Sequence, residues 1–112
     1  MIEFENLIMI EVLKAMKELG GRVTRKEVRR EIRDYSDVIS EEQVDEIKKS
    51  KKTGKEYQPF IYRFNFAVKH LITTGYIFTE NNHDLELSEK GRTVDFEKFD
   101  PIHDVRSIVD GS

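Results

Sequence analysis

Apolar side chains recur at intervals of three and four residues in two long stretches, from Phe4 to Leu19 and from Gln58 to Thr74. This spacing is typical of one face of an α-helix, so both stretches are predicted to be amphipathic helices. Each is followed closely by glycine, Gly20 or Gly75, which ends many helices because it readily adopts the left-handed backbone conformation. The pattern therefore predicts a first core helix and a second, strongly amphipathic helix later in the chain.

Two shorter helices are predicted between them from their start signals. The segments 24–27 (Thr-Arg-Lys-Glu) and 40–43 (Ser-Glu-Glu-Gln) have the capping-box spacing, in which a hydroxyl caps the first turn and the side chain three residues later bonds back. The first of these helices is expected from about Arg25 to Asp34. The other is a short helix with Val44 and Ile47 on its apolar side. Four arginines are expected on the outward side of the first: Arg25, Arg29, Arg30 and Arg33.

A β-hairpin is predicted after the second long helix. Tyr76 to Thr79 and Leu85 to Ser88 are predicted to be two short strands, and Asn81-Asn82 between them tolerates the positive φ of a tight turn. A last short helix is predicted from about Pro101 to Val109, since Asp100 followed by proline is typical of a helix start. The expected fold class is mainly α with a small β-hairpin. Its element order is that of a winged helix-turn-helix, in which the helix before the hairpin enters the DNA major groove.

The 112 residues are enough for one hydrophobic core. Residues 1–92 are expected to form a winged-helix DNA-binding domain, and residues 93–112 a C-terminal tail or short helix. The tail carries apolar residues from Phe96 to Val109. Two interpretations are open: the tail packs back on the first helix, or it acts as a linker or dimerisation element that pairs with a second copy.

Composition excludes several classes of protein. Because the chain contains no cysteine, it has no disulfides, thiolate zinc sites or cysteine nucleophiles. No apolar run approaches the roughly 18 residues of a membrane span, and the N-terminus lacks a basic signal-peptide region. A cytoplasmic protein with no membrane partner is therefore expected.

Charge is distributed unevenly around a net value of −3. Residues 48–69 contain seven basic residues against one acidic residue, Glu56, a net charge of +6, which favours a polyanionic partner. Lys51, Lys52 and Lys55 are predicted to contact DNA phosphates. Base-edge contacts are predicted for residues on the outward side of the second long helix: Arg63 with guanine, Asn65 or Gln58 with adenine, and Tyr62 and Lys69 beside them.

The predicted hairpin is acidic, with Glu80, Asp84 and Glu86 against His83. Acidic side chains repel phosphate, so close contact between this hairpin and the DNA backbone is not expected. The acidic hairpin and the isoelectric point near 5.7 favour an alternative to DNA binding, in which the domain binds another protein.

No catalytic residues, metal site or cofactor are predicted. Asp37 with Glu46-Ile47-Lys48 matches the sequence pattern of a Mg²⁺-dependent nuclease, in which the Glu-x-Lys segment lies on a strand. The Ser40 cap and the spacing of apolar residues instead predict that Glu46 lies on a helix. The histidines are too far apart in sequence for a local metal motif: His70, His83 and His103. The aromatic residues of the second long helix are expected in the core: Phe60, Phe64 and Phe66.

Four segments together cover about Leu7 to Arg92: LKAMKELGGRVTRKEV, ISEEQVDEI, KKTGKEYQPFIYRFNFAVKHLITTGYIF and LELSEKGR. They resemble the N-terminal winged-helix domain of Mrr-type restriction endonucleases. The resemblance implies a DNA-reading module, often fused to a nuclease that cuts foreign or modified DNA. The family's nuclease lies C-terminal to this domain, and 20 residues follow Arg92 here, so no enzymatic activity is expected.

Three functions follow from these observations. The first is a double-stranded DNA-binding module, either the recognition domain of a modification-dependent restriction endonuclease or a stand-alone relative of it, with a nuclease domain or subunit as partner. The second is a dimeric winged-helix transcriptional regulator. The third is a winged helix used as a protein-interaction module.

Overall fold

The computed structural model describes residues 2–110. Its helices are α1 (Ile2–Leu19), α2 (Arg25–Tyr35), α3 (Glu41–Asp45), α4 (Pro59–Thr73), α5 (Glu89–Arg92) and α6 (Ser107–Asp110), the last preceded directly by a π-helical turn, Ile102–Arg106. The strands are β1 (Val23–Thr24), β2 (Lys48–Lys49), β3 (Glu56–Tyr57), β4 (Ile77–Phe78) and β5 (Asp84–Leu87). The predicted class, mainly α with a small β-hairpin, is confirmed.

A three-stranded antiparallel sheet joins the start of the domain to the hairpin. Its strand order is β1-β5-β4, so β5 lies in the middle. Val23 of β1 pairs with Leu85 of β5, and Thr24 pairs with Asp84. Because α2 begins directly after Thr24, this pairing places the first turn of α2 beside the β4–β5 turn.

Both predicted capping boxes are present. The Glu27 amide donates to Thr24 Oγ1 at 3.1 Å, and the Thr24 amide donates to the Glu27 carboxylate at 2.9 Å. Ser40 and Gln43 exchange the same two bonds at the start of α3. These bonds satisfy amides that have no partner within the helix, which explains why α2 and α3 start where they do.

The core lies where α1 packs against α2 and α4. Its largest fully buried side chains come from those helices, the α2–α3 connection and β5: Phe60, Phe64, Ile8, Met9, Leu13, Met16, Ile32, Ile39, Leu71 and Leu85. The Phe60 and Phe64 rings lie 6.1 Å apart, and Phe4 meets Phe60 edge-on at 6.4 Å. One face of α4 is thus fully occupied by packing, and the opposite face is left for solvent.

The tail packs back on this core. Val105 is completely buried, Phe99 meets Tyr76 edge-on at 5.3 Å, and Arg106 forms a 2.9 Å ion pair with Glu5 of α1. The predicted last helix is regular α-helix only over its final turn, since its first turn is π-helical. Residues 111 and 112 of the predicted tail lie outside the described residues.

The segment between α3 and α4 differs from its prediction. Helix α3 ends at Asp45, so Glu46 lies just outside it, and Ile47, expected on the apolar side, is 54% exposed. The predicted loop contains a hairpin in which Lys48 pairs with Tyr57 and Lys49 with Glu56. Polar residues on both strands show no apolar alternation, so the sequence pattern did not indicate this pairing.

Candidate nucleic-acid interface

The solvent-facing side of α4 carries aromatic, amide and basic side chains. Tyr62 is 59% exposed and Phe66 53% exposed, and Asn65, Lys69 and Thr73 are exposed beside them. This face results from the packing of Phe60, Phe64 and Leu71 on the other side of the helix. It brings together three of the predicted DNA contacts: Tyr62, Asn65 and Lys69.

Arg63 lies on a different side of α4. It is half-buried, and its guanidinium carbon is 5.5 Å from the centroid of the Phe4 ring of α1. At about 100° per residue, Arg63 and Asn65 point to nearly opposite sides of the helix. Arg63 therefore lies at the edge of the exposed face, about 60° around the helix from Phe66, and its contact with guanine stays a prediction.

Gln58, predicted to contact adenine, has a structural partner. It is half-buried just before α4, and its Nε2 donates a hydrogen bond to the Val44 carbonyl of α3. This bond ties the end of α3 to the start of α4. The Gln58 amide nitrogen thus has a partner within the fold.

The short hairpin between α3 and α4 concentrates positive charge. All of its lysines are exposed: Lys48, Lys49, Lys51, Lys52 and Lys55. Gly54, with φ 72°, forms its turn, and the Gly54 amide donates to the Ser50 carbonyl. Tyr57 meets Tyr62 edge-on at 5.8 Å, which connects the hairpin to the exposed face of α4. The lysines predicted to contact phosphate therefore lie at the N-terminal end of that helix.

Arg25 joins three elements on the flank of α4. Its Nη1 donates to Asn65 Oδ1 at 3.1 Å, its Nε donates to the Asn82 carbonyl at 3.1 Å, and its Nη2 donates to Asn82 Oδ1 at 2.9 Å. Asn82 has φ 66° in the β4–β5 turn, which asparagine tolerates better than most residues. Partial burial, and secondarily the positive charge of Arg29, lower the pKa of Arg25.

Sequence reasoning missed three residues of this surface. Phe66 was assigned to the core, although it is two positions from Phe64 and therefore 200° around the helix, a signal that was available in the spacing. Arg25 was expected to face solvent, and Asn82 was treated as a turn residue. Their contact depends on the β1–β5 pairing, which no sequence pattern indicated.

The β4–β5 hairpin is acidic, as its sequence shows. Glu80, Asp84 and Glu86 surround a small depression that also includes Arg22. Asp84 accepts a 3.2 Å hydrogen bond from the Asn81 side chain, which holds the turn together. Whether this hairpin contacts DNA stays a prediction.

One family model, described as the Mrr N-terminal domain, matches residues 6–97. The chain belongs to the Mrr N-terminal domain family. The resemblance found in the sequence over about Leu7 to Arg92 is thus confirmed. Membership of this family indicates a domain associated with restriction systems. No curated protein and no solved structure matches the chain.

In this Mrr N-terminal domain, the residues that match the nuclease sequence pattern lie in three different segments. Asp37 lies in the connection between α2 and α3, Glu46 follows the end of α3, and Lys48 begins β2. The prediction that Glu46 lies within a helix was wrong, because α3 is one turn long and Glu46 follows its last residue. Among the side chains that the structure describes, those of residues 4–109, no group of three or more His, Asp or Glu is arranged to hold a metal ion. Within residues 2–110 no helix has the length and hydropathy to cross a bilayer.

Proposed function

We propose that this domain binds double-stranded DNA, with α4 in the major groove and the lysines of the β2–β3 hairpin on the phosphate backbone. The observation that carries the proposal is the position of five exposed lysines at the N-terminal end of a helix whose outer face exposes Tyr62, Asn65 and Lys69. Phosphate contacts by lysine supply sequence-independent affinity, and amide and basic side chains on a groove-facing helix read base edges.

Three further observations support a winged-helix arrangement for this binding. Helix α4 directly precedes the β4–β5 hairpin, the sheet order β1-β5-β4 pairs that hairpin with the strand before α2, and α1 packs against both α2 and β5. In helix-turn-helix proteins the second helix of the motif enters the major groove. We assign helix α4 to that role, with α3 and the β2–β3 hairpin lying between α2 and α4 in the chain.

The proposal extends to the biological role suggested by the family. We propose that the domain is the recognition part of a modification-dependent restriction endonuclease or a stand-alone relative, acting in the cytoplasm with a separate nuclease domain or subunit. DNA cutting then belongs to that partner, and this chain supplies binding.

A salt titration of duplex binding tests the proposal. The slope of log affinity against log salt should be about −3 to −5, as expected for a few neutralised phosphates. Lys52→Ala should weaken binding to two unrelated duplexes equally and reduce the slope by about one. Lys98→Ala is the matched control, because Lys98 lies in the tail beside Phe99 and Tyr76, at the far end of α4.

Arg63 offers a second comparison within the same titration. If Arg63 leaves the Phe4 ring to contact guanine, Arg63→Ala should cost roughly 1–3 kcal/mol of binding free energy and flatten any sequence preference. No duplex binding at low salt, or binding without salt dependence, would refute the proposed function.

A further inference from the structure

A groove of about 490 Å³ lies between α4 and the β4–β5 turn, on the flank of the proposed recognition helix. Its polar lining consists of Arg25, Asn65, Lys69, Thr73, Thr79 and Asn82. Two of these residues carry positive charge. Among the described residues, no acidic side chain belongs to the lining.

Arg25 fixes which atoms the two asparagines present. Because arginine can only donate hydrogen bonds, the atoms of Asn65 and Asn82 that face it must be their oxygens. The NH₂ groups of both side chains are therefore left to donate elsewhere. Asn65 contributes such a donor to the groove.

Most hydrogen-bond donors of the groove that have no partner within the fold belong to positively charged side chains. Arg25 uses three of its N–H groups for Asn65 and Asn82, and arginine has five. The hydroxyls of Thr73 and Thr79 donate to backbone carbonyls within the fold. The groove thus offers two guanidinium N–H groups, an amide NH₂ and the Lys69 ammonium, all of them hydrogen-bond donors.

A groove with two cations, several free donors and no carboxylate fits an anion. On a duplex with α4 in the major groove, a sugar-phosphate strand runs along each flank of the helix, so the anion that reaches this groove is a backbone phosphate. We propose that the groove binds one phosphate of that strand, with Arg25 as its charged partner and Asn65 as the residue that orients Arg25. This inference rests on the proposed DNA binding.

The proposal also explains how a domain with an acidic hairpin holds DNA beside it. The turn residue Asn82 uses its carbonyl and its side-chain oxygen to hold Arg25, so the hairpin contributes by positioning a cation. The phosphate then meets Arg25 at the base of the hairpin. Glu80 and Glu86 lie outside the groove lining.

Duplex binding by four variants tests this site, with fluorescence anisotropy over a salt series and thermal unfolding as the check on folding. Arg25→Ala should lower affinity about tenfold and reduce the salt slope by about one, because one charge-assisted phosphate contact is lost. Arg25→Lys should keep the slope and recover part of the affinity, since lysine retains the charge without the forked geometry. Lys26→Ala, one position along α2 and outside the groove, should leave both unchanged.

Asn82→Gly separates phosphate binding from a structural role of Arg25. Glycine keeps the positive φ of the turn and removes the side-chain acceptor, so it should leave affinity within about twofold of the wild type. An Arg25→Ala variant that behaves like Lys26→Ala would refute the phosphate site while leaving duplex binding intact. Equal losses of affinity in Asn82→Gly and Arg25→Ala, each accompanied by a lower melting temperature, would assign Arg25 to holding the hairpin and would also overturn the proposal.

A polyglutamate competitor addresses the other anion that fits a donor-rich groove. Loss of polyglutamate binding in Arg25→Ala, with duplex affinity unchanged, would assign the groove to an acidic protein segment and refute the phosphate site. If the wild-type domain binds no duplex at low salt, the proposed function is refuted, and the phosphate site, which depends on it, is refuted as well.

Discussion

Val105 tests whether the tail belongs to the hydrophobic core of this domain. Its side chain is completely buried in the tail's π-helical turn, which packs against α4. Val105→Ala removes two carbon groups, worth about 0.8 kcal/mol each in transfer free energy. A residual cavity adds about 24 cal/mol per Å³. Together these give an expected loss of about 1.5–3 kcal/mol in the free energy of unfolding.

Urea unfolding followed by circular dichroism measures this loss as a lower midpoint with an unchanged slope. Ile102→Ala is the matched control in the same turn, because Ile102 is 61% exposed and its truncation should change stability by less than about 1 kcal/mol. Equal midpoints for the two variants would show that the tail is not packed in solution. A midpoint that rises with protein concentration would place Val105 in contact with a second copy instead.

Two further predictions concern packing and pH. Gly91→Ala should lower the free energy of unfolding by about 1–3 kcal/mol, because the added Cβ would collide with the Tyr76 carbonyl; a thermal melt matching the wild type would contradict this packing. Arg33 bonds the Asp45 carboxylate at 2.8 Å and lowers its pKa, so this pair stabilises the fold above the ordinary aspartate pKa, and the stabilisation is lost as the pH falls through the lowered value. Asp45→Asn should therefore flatten the acid side of a stability–pH profile, and an unchanged profile would contradict the assignment.

Local signals in the sequence were sufficient for the main helices. The Thr24 and Ser40 caps, the helical spacing of Phe60 and Phe64, and the glycine after α4 are each decided by residues within a few positions of one another. Such short-range preferences act before any tertiary contact forms, which is why they can be predicted from one sequence. The confirmed family resemblance rests on the same segments.

The candidate interface could be predicted only in part. Tyr62, Asn65 and Lys69 share the outer face of α4 because their spacing from the buried phenylalanines requires it. The sequence did not indicate the contact of Arg63 with Phe4, which depends on how α1 packs against α4, or the bond of Gln58 to a carbonyl of α3. Their contacts with DNA stay predictions. The lysines of residues 48–55 were recognised by composition, while the hairpin that holds them shows no apolar alternation to predict it.

Sequence alone determined where α1, α2 and α4 form and where positive charge is concentrated, since both depend on residues close together in the chain. Tertiary structure decided that the tail packs inward on α1 and α4, and that Arg25 meets Asn65 and Asn82 across separations of 40 and 57 residues. The pairing of two-residue β1 with β5 makes that second arrangement possible. A pairing this short has too little pattern of its own to be predicted, and it forms because the packed helices hold both strands side by side.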